Sequence, residues 1–208
     1  MTMSKNVASE SLLISAASIS ADLNEVSRIA KHISVGVKNA KAIAARAGNQ
    51  ARGFQPITDF INEMATDIMG LVEKISREAL EITRIASAHS RTQEAKRRID
   101  SVFLSDQPIR YRDELGGIAH KIDENVQQQR YIIKKHARHL GLLLSEIEQK
   151  VKAAQVISNT SRVEASRAKD YRQNLEVVAE NLLTETDQIK GRVQRCQSRL
   201  SRVFLQLN

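Results

Sequence analysis

The chain has 208 residues, 41% of them apolar and only 3% aromatic, with two prolines, eight glycines, no tryptophan and a formal net charge of +8. So few prolines and glycines cannot punctuate a many-stranded sandwich or barrel, which needs a turn about every ten residues, and aromatics this scarce argue against a thick globular core. The apolar fraction argues equally against disorder, and what remains is a long-helix composition rich in Ala, Leu, Ile, Glu, Lys, Arg and Gln.

At the N-terminus, Met1 to Glu10 is polar, and Leu12–Leu13–Ile14 is too short for the core of a signal peptide. No segment approaches the roughly 20 apolar residues that cross a bilayer. The single cysteine, Cys196, makes neither an intrachain disulfide nor a zinc site. These features predict a soluble, cytoplasmic chain without a membrane span.

The first predicted helix covers 8–46. Stepping alternately by four and three from Leu12 reaches Ala16, Ile19, Leu23, Val26, Ala30, Ile33, Val37, Ala40, Ala44 and Ala47, and every position is apolar. That is a coiled-coil seam. It turns from Leu and Ile to Ala as it nears Gly48, so the helices are expected to approach more closely there. The second helix, 50–104, carries Phe54, Ile57, Ile61, Met64, Ile68, Leu71 and Ile75, then Ile82, Ile85, Ile99 and Phe103. Ser105–Asp106–Gln107–Pro108 breaks it, because the residue before a proline is pushed out of the helical region.

The third helix, 109–168, runs through Leu115, Ile122, Val126, Ile133, Leu140, Leu143, Ile147, Val151 and Ala154 to Ala168. The fourth, 171–206, runs through Leu175, Val178, Leu182, Ile189, Val193, Cys196, Leu200 and Val203 towards Leu207. Short turns between long helices make neighbours antiparallel. The expected fold is all-α, a long antiparallel coiled-coil four-helix bundle of two tandem helical hairpins.

Polar residues on or near these seams have modest readings. Gln129 and His136 are expected to form polar layers that fix register, and Cys196 to be a small apolar filler. His32 and His89 are expected on the solvated surface. His136 and His139 share a helix face with no acidic residue near them in sequence, which argues against a metal site. Lys96–Arg97–Arg98 and Lys134–Lys135–His136 read as solvated helix faces, and with few aromatics to stack and no reading motif they argue against nucleic-acid binding. The sequence has no phosphate loop, nucleophile elbow or paired carboxylates. No enzyme activity, cofactor or metal is expected.

Around Gly48 the chain places Asn39, Ala40, Ala44, Ala45, Arg46, Ala47, Gly48, Arg52, Gly53, Phe54, Asp59, Ile61 and Ala65. This pattern, over about residues 29–65, resembles the hairpin tip of bacterial methyl-accepting chemotaxis receptors. A fainter copy follows 121 positions later. Val163 to Asp170 resembles the segment that ends at the tip, Leu175 to Leu182 resembles the segment that follows it, and Lys169 stands where the turn glycine would be. In the resembled family two chains each contribute one hairpin to a dimeric four-helix bundle. Here one chain carries both, 1–104 with a tip near Gly48 and 105–208 with a tip near Lys169. The expectation is a single-chain pseudo-dimer, with a homodimer as the alternative. Both tips lie at one end, and the inner helices overhang the outer by about 15 to 20 residues, roughly 25 Å.

In the family the tip contacts neighbouring chemoreceptors and docks the chemotaxis histidine kinase and its coupling protein. Carried to this chain, the protein-binding tip is Asn39, Arg46, Gly48, Asn49, Arg52, Gly53 and Phe54, with Phe54 either filling a partner's pocket or capping the hairpin core. This chain differs at His32–Ile33–Ser34, at Ile43 and Asn49, where the family has glutamates, and at Pro56. Pro56 marks the start of the second helix or a kink. From Val26 to Thr58 there is no acid, while Arg28, Lys31, Lys38, Lys41, Arg46 and Arg52 form a basic patch. Gln127–Gln128 lacks the small neighbours of a methylation site. The expected function is chemoreceptor-like signal transduction by protein docking in a bacterial chemosensory system. The alternative is a structural or interaction coiled coil that has lost kinase control and binds an acidic partner or an anionic surface.

Overall fold

The structure, a computed structural model, describes residues 4–105 and 112–207, with side chains described for 14–105, 112–168 and 170–205. Four helices dominate it: α1 (Ser4–Ala47), α2 (Phe54–Phe103), α3 (Arg112–Ser166) and α4 (Arg172–Leu207), with no strand among the described residues. Short 3₁₀ turns, Gly48–Ala51 and Lys169–Tyr171, join the members of each hairpin. The expected break at Pro108 lies outside the described residues. α2 has already ended before it, where the Leu104 and Ser105 amides donate back to the Asp100 and Val102 carbonyls at 3.1 and 3.2 Å. Among the described residues no helix is long and apolar enough to cross a membrane.

α1 packs on α2 and α4, and α3 packs on the same two, which closes a ring of four. Side-chain pairs fix the directions. Ser34 with Asn62 and Lys41 with Asp59 run α1 against α2. Lys150 with Asp67 and His136 with Glu78 run α2 against α3. Gln155 with Asp187 and Glu148 with Gln197 run α3 against α4. Every neighbour is antiparallel, so the four-helix bundle of two tandem hairpins stands as expected.

The seam is the reason these sequences fold this way. Ala16, Ile19, Leu23, Val26, Ala30, Ile33, Val37, Ala40, Ala44 and Ala47 are all buried, and each fully buried Leu or Ile contributes about 1.5–3 kcal/mol over its exposed state. Their counterparts 121 positions later, Ala137 through Ala168, are buried at every step. On the second arms Phe54, Ile61, Ala65, Ile68, Val72, Ile75, Ala79 and Ile82 match the buried Leu175, Leu182, Thr186, Ile189, Val193, Cys196, Leu200 and Val203. The internal repeat is therefore a repeat of packing. Where the second copy has Ser158, Ser161 and Thr186 for Val37, Ala40 and Ala65, each buried hydroxyl donates to the carbonyl of its own preceding turn, at 2.8 Å in all three. A buried donor thus keeps a partner at little cost.

The inner helices overhang the outer ones. α1 reaches back to Ser4, whereas α4 ends at Leu207, and Lys96 of α2 still meets Asp123 of α3 beyond it. There Ile99, Phe103, Leu115 and Ile122 are only half-buried. The arms are 44 and 50 residues in the first hairpin and 55 and 36 in the second, so the expected overhang of about 15 to 20 residues is met by α3 over α4 and not by α2 over α1, which reaches back to Ser4 and falls only six residues short.

Candidate functional site

The two tips meet at one end of the bundle. Ala40, Ala44, Ala47, Ala51 and Phe54 of the first form a single apolar cluster with Ala165, Ala168 and Leu175 of the second. They turn by different means. Gly48 has φ +58°, a left-handed conformation that glycine alone adopts without strain. The second tip tightens through successive i to i−3 bonds, from the amides of Arg167, Ala168 and Tyr171 to the carbonyls of Glu164, Ala165 and Ala168, at 3.0–3.1 Å. α2 starts at Phe54, two residues before Pro56. The proline therefore falls in the first turn, where its missing amide would have had no helical acceptor, and neither starts nor kinks the helix.

Asn39, Arg46, Gly48, Asn49, Arg52 and Gly53 are exposed around this end. Phe54 is not: it is 1% exposed, enclosed by alanines of both hairpins. Its place among partner-binding residues is corrected accordingly, and of its two expected roles it performs the core cap. Gly53 has φ −68°, so it needs no glycine for its backbone. A Cβ there would run into the end of the Glu164 side chain of the second tip. Glu164 is the repeat's counterpart of Ile43, so the second tip lays a carboxylate against the first where the first copy has an apolar residue.

A groove of about 340 Å³ opens between α1 and α2 at the first tip, with Ala44, Ala45, Gly48 and Ala51 among its lining residues alongside Lys41, Asn49, Arg52 and Gln55. The basic patch around it is partly neutralised from its two edges. Arg28 binds Glu25 at 2.6 Å and Lys41 binds Asp59 at 2.7 Å, the latter across an exposed contact that adds little stability. His32, on the surface as expected, meets Glu185 of α4. Among the described residues Lys31, Lys38, Arg46 and Arg52 have no acidic partner, so the free positive charge sits on four side chains rather than six.

Other polar clusters serve the bundle. His89, expected on the surface, is 4% exposed. Its Nδ1 lies 3.2 Å from Gln129 and its Nε2 3.0 Å from Gln93. Burial holds its imidazole below the ordinary value of 6.5, against the hydrogen bond with Gln129 and together with the nearby charge of Arg130. The stride that reaches Ile82 and Ala86 lands next on His89, a signal that apolar pattern alone passes over. Gln129 thus forms a polar layer as expected, but with His89.

His136 and His139 do have an acidic neighbour, supplied by another helix: Glu78, at 2.6 and 2.9 Å. Burial works to raise the Glu78 carboxyl, and the hydrogen bonds from the two histidines outweigh it and hold it below its ordinary 4.5. Among the described residues no group of three or more His, Cys, Asp or Glu could hold a metal ion. Cys196 is fully buried against the Ile19 carbonyl, and burial pushes its thiol up to about 12, which leaves no reactive thiolate. Asp22, 8% exposed, is gripped by Arg192 at 3.2 Å, Arg195 at 3.3 Å and Arg199.

Compared with known proteins, no family model matches the chain, and no curated protein matches it.

Proposed function

We propose that this chain is a cytoplasmic, chemoreceptor-like docking protein, a monomeric pseudo-dimer that presents its first tip to components of a bacterial chemosensory system: the histidine kinase, its coupling protein or other chemoreceptors. The observation that carries the reading is the sealed tip. Two hairpins of one chain share an alanine-and-phenylalanine plug, beneath Asn49 and Arg52 in the lining of a groove and the exposed Arg46 of the same tip. A packed plug under exposed polar groups pre-organises them for binding, which lowers the ordering cost. The action is docking rather than catalysis.

The test is capture of the kinase or the coupling protein by the full-length chain. Retention by the native protein at micromolar concentration, lost on Arg46→Glu, supports the reading. No retention favours the alternative, a structural coiled coil with an acidic partner, which Lys31, Lys38, Arg46 and Arg52, unpaired among the described residues, also support. Small-angle scattering tests the pseudo-dimer. A rod of one chain mass, 23.3 kDa, is expected, and a rod near twice that overturns it.

A further inference from the structure

The two tips carry equivalent grooves. The second lies between α3 and α4, has a volume of about 560 Å³ and is lined by Asn159, Arg162, Val163, Ser166, Glu176 and Glu180. Shifted back by 121 positions, these residues fall on Lys38, Lys41, Ala42, Ala45, Gln55 and Asp59, and three of the six, Lys41, Ala45 and Gln55, line the groove of the first tip. The pseudo-twofold relation therefore reproduces the cleft and changes its charge. Lys38 becomes Asn159 and Gln55 becomes Glu176, while Arg162 and Glu180 keep the signs of Lys41 and Asp59.

The surroundings diverge in the same direction. Residues 26–58 contain no acid, whereas the matching 147–179 contain Glu148, Glu164, Asp170 and Glu176. At the second tip Arg167 binds Glu164 at 3.0 Å and Arg172 binds Glu176 at 2.7 Å, which leaves Arg162 and Glu180 as the groove's lining charges without a salt bridge among the described residues. At the first, Lys38, Arg46 and Arg52 have no acidic partner among the described residues; Arg52 lines the groove, Lys38 lies about one helical turn before the lining Lys41, and Ala44, Ala45, Gly48 and Ala51 are small enough for a partner helix to approach closely.

We infer that docking is one-sided: the α1–α2 groove at the first tip takes an acidic helical segment of a partner, its carboxylates on Lys38 and Arg52, while the equivalent α3–α4 groove rejects it. This rests on the reading of the first tip as a docking surface. A symmetric pair of identical hairpins would offer the same groove twice. Here one chain offers it once, so one partner binds per chain. Unpaired cations draw the acidic segment to one cleft, and the other, with Asn159 and Gln173 in place of Lys38 and Arg52 and with Glu180 in its lining, disfavours it.

The test uses a fluorescein-labelled, glutamate-rich helical peptide as the probe on the full-length protein. Saturation is expected at one peptide per chain. Lys38→Glu with Arg52→Glu weakens binding by roughly tenfold or more, with the helical circular dichroism unchanged. Glu176→Lys with Glu180→Lys leaves the first site intact and raises the stoichiometry to two. Two equal sites on the native protein, or binding that ignores the Lys38 and Arg52 changes, overturns the inference. Capture of the kinase or coupling protein without peptide binding sinks the acidic groove and leaves the docking reading standing. Peptide binding at one per chain without such capture sinks the chemosensory reading and leaves the groove.

Discussion

Asp22 of α1 lies against Arg199 of α4, 177 residues away in the chain, with Arg192 and Arg195 closing on the same carboxylate. The residue that the repeat makes equivalent to Arg199 is Glu78 of α2, and it faces His136 and His139 of α3. The two equivalent interfaces thus carry reversed polarity: acid on α1 and base on α4 in one, base on α3 and acid on α2 in the other. A pair of identical first hairpins would set Asp22 beside Glu78, so charge selects the first hairpin with the second. Asp22→Ala is expected to lower stability by about 1–3 kcal/mol, because it leaves partly buried guanidinium groups without their counter-charge. Urea unfolding measures it. A midpoint equal to that of the native protein would refute the selecting role.

The His89 layer sets an acid limit. Its folded pKa lies below the ordinary 6.5, so between the two values the unfolded chain binds the proton and the folded chain does not. The stability His89 contributes is complete above pH 6.5 and is lost as pH falls through the lowered value. Glu78, also depressed, adds a second loss below pH 4.5. The double variant His89→Leu with Gln129→Leu removes both members of the pair and is expected to abolish the first loss while keeping the second. Thermal midpoints followed from pH 7.5 to 4 show whether the two windows separate.

The two glycines of the first tip differ in kind. Gly48→Ala places a side chain in open space but at φ +58°, and is expected to cost about 1 kcal/mol. Gly53→Ala keeps an ordinary helical φ and displaces only the mobile end of Glu164, so its cost stays within about 0.5 kcal/mol. Denaturant midpoints in the reverse order would contradict the turn geometry.

Phe54→Ala is expected to destabilise the tip by about 3–5 kcal/mol through the cavity it leaves among Ala40, Ala44, Ala47, Ala51, Ala165, Ala168 and Leu175. Arg46→Glu, on an exposed site, changes stability by no more than about 0.5 kcal/mol. Only the arginine variant therefore reports cleanly on docking. Calorimetry of both, run beside the capture experiment, distinguishes lost contact from lost fold.

What the sequence made legible is what a local period carries. The seam from Ala16 to Ala47, the pairing of its two copies and the reversal at Gly48 all follow from spacing along one chain, because a heptad stripe has to be buried wherever the helix goes. His89 escaped because a stripe is read by its apolar members, and a histidine on the same stride looks like a gap. Phe54 remained open between two roles, since an aromatic beside a turn serves a partner or a core equally well until the other hairpin is placed over it. The clusters around Asp22 and Glu78 depend on the register between helices that are far apart in sequence, which no periodicity encodes. The charge difference between the tip grooves needed the same register, because only the three-dimensional match tells which residues of the two copies line the same cleft.

The overhang of α2 and α3 gives the rod a direction of opening. At that end two helices stand where the body has four, and Ile99, Phe103, Leu115 and Ile122 are each only half-covered, so amide protons there exchange through local fraying while those of the four-helix body wait for global unfolding. The molecule thus yields first at the Lys96–Asp123 end, ahead of the Leu- and Ile-packed body. A mechanical pull or a bound protein acting at the yielding end would loosen the helices one turn at a time until it reached that body.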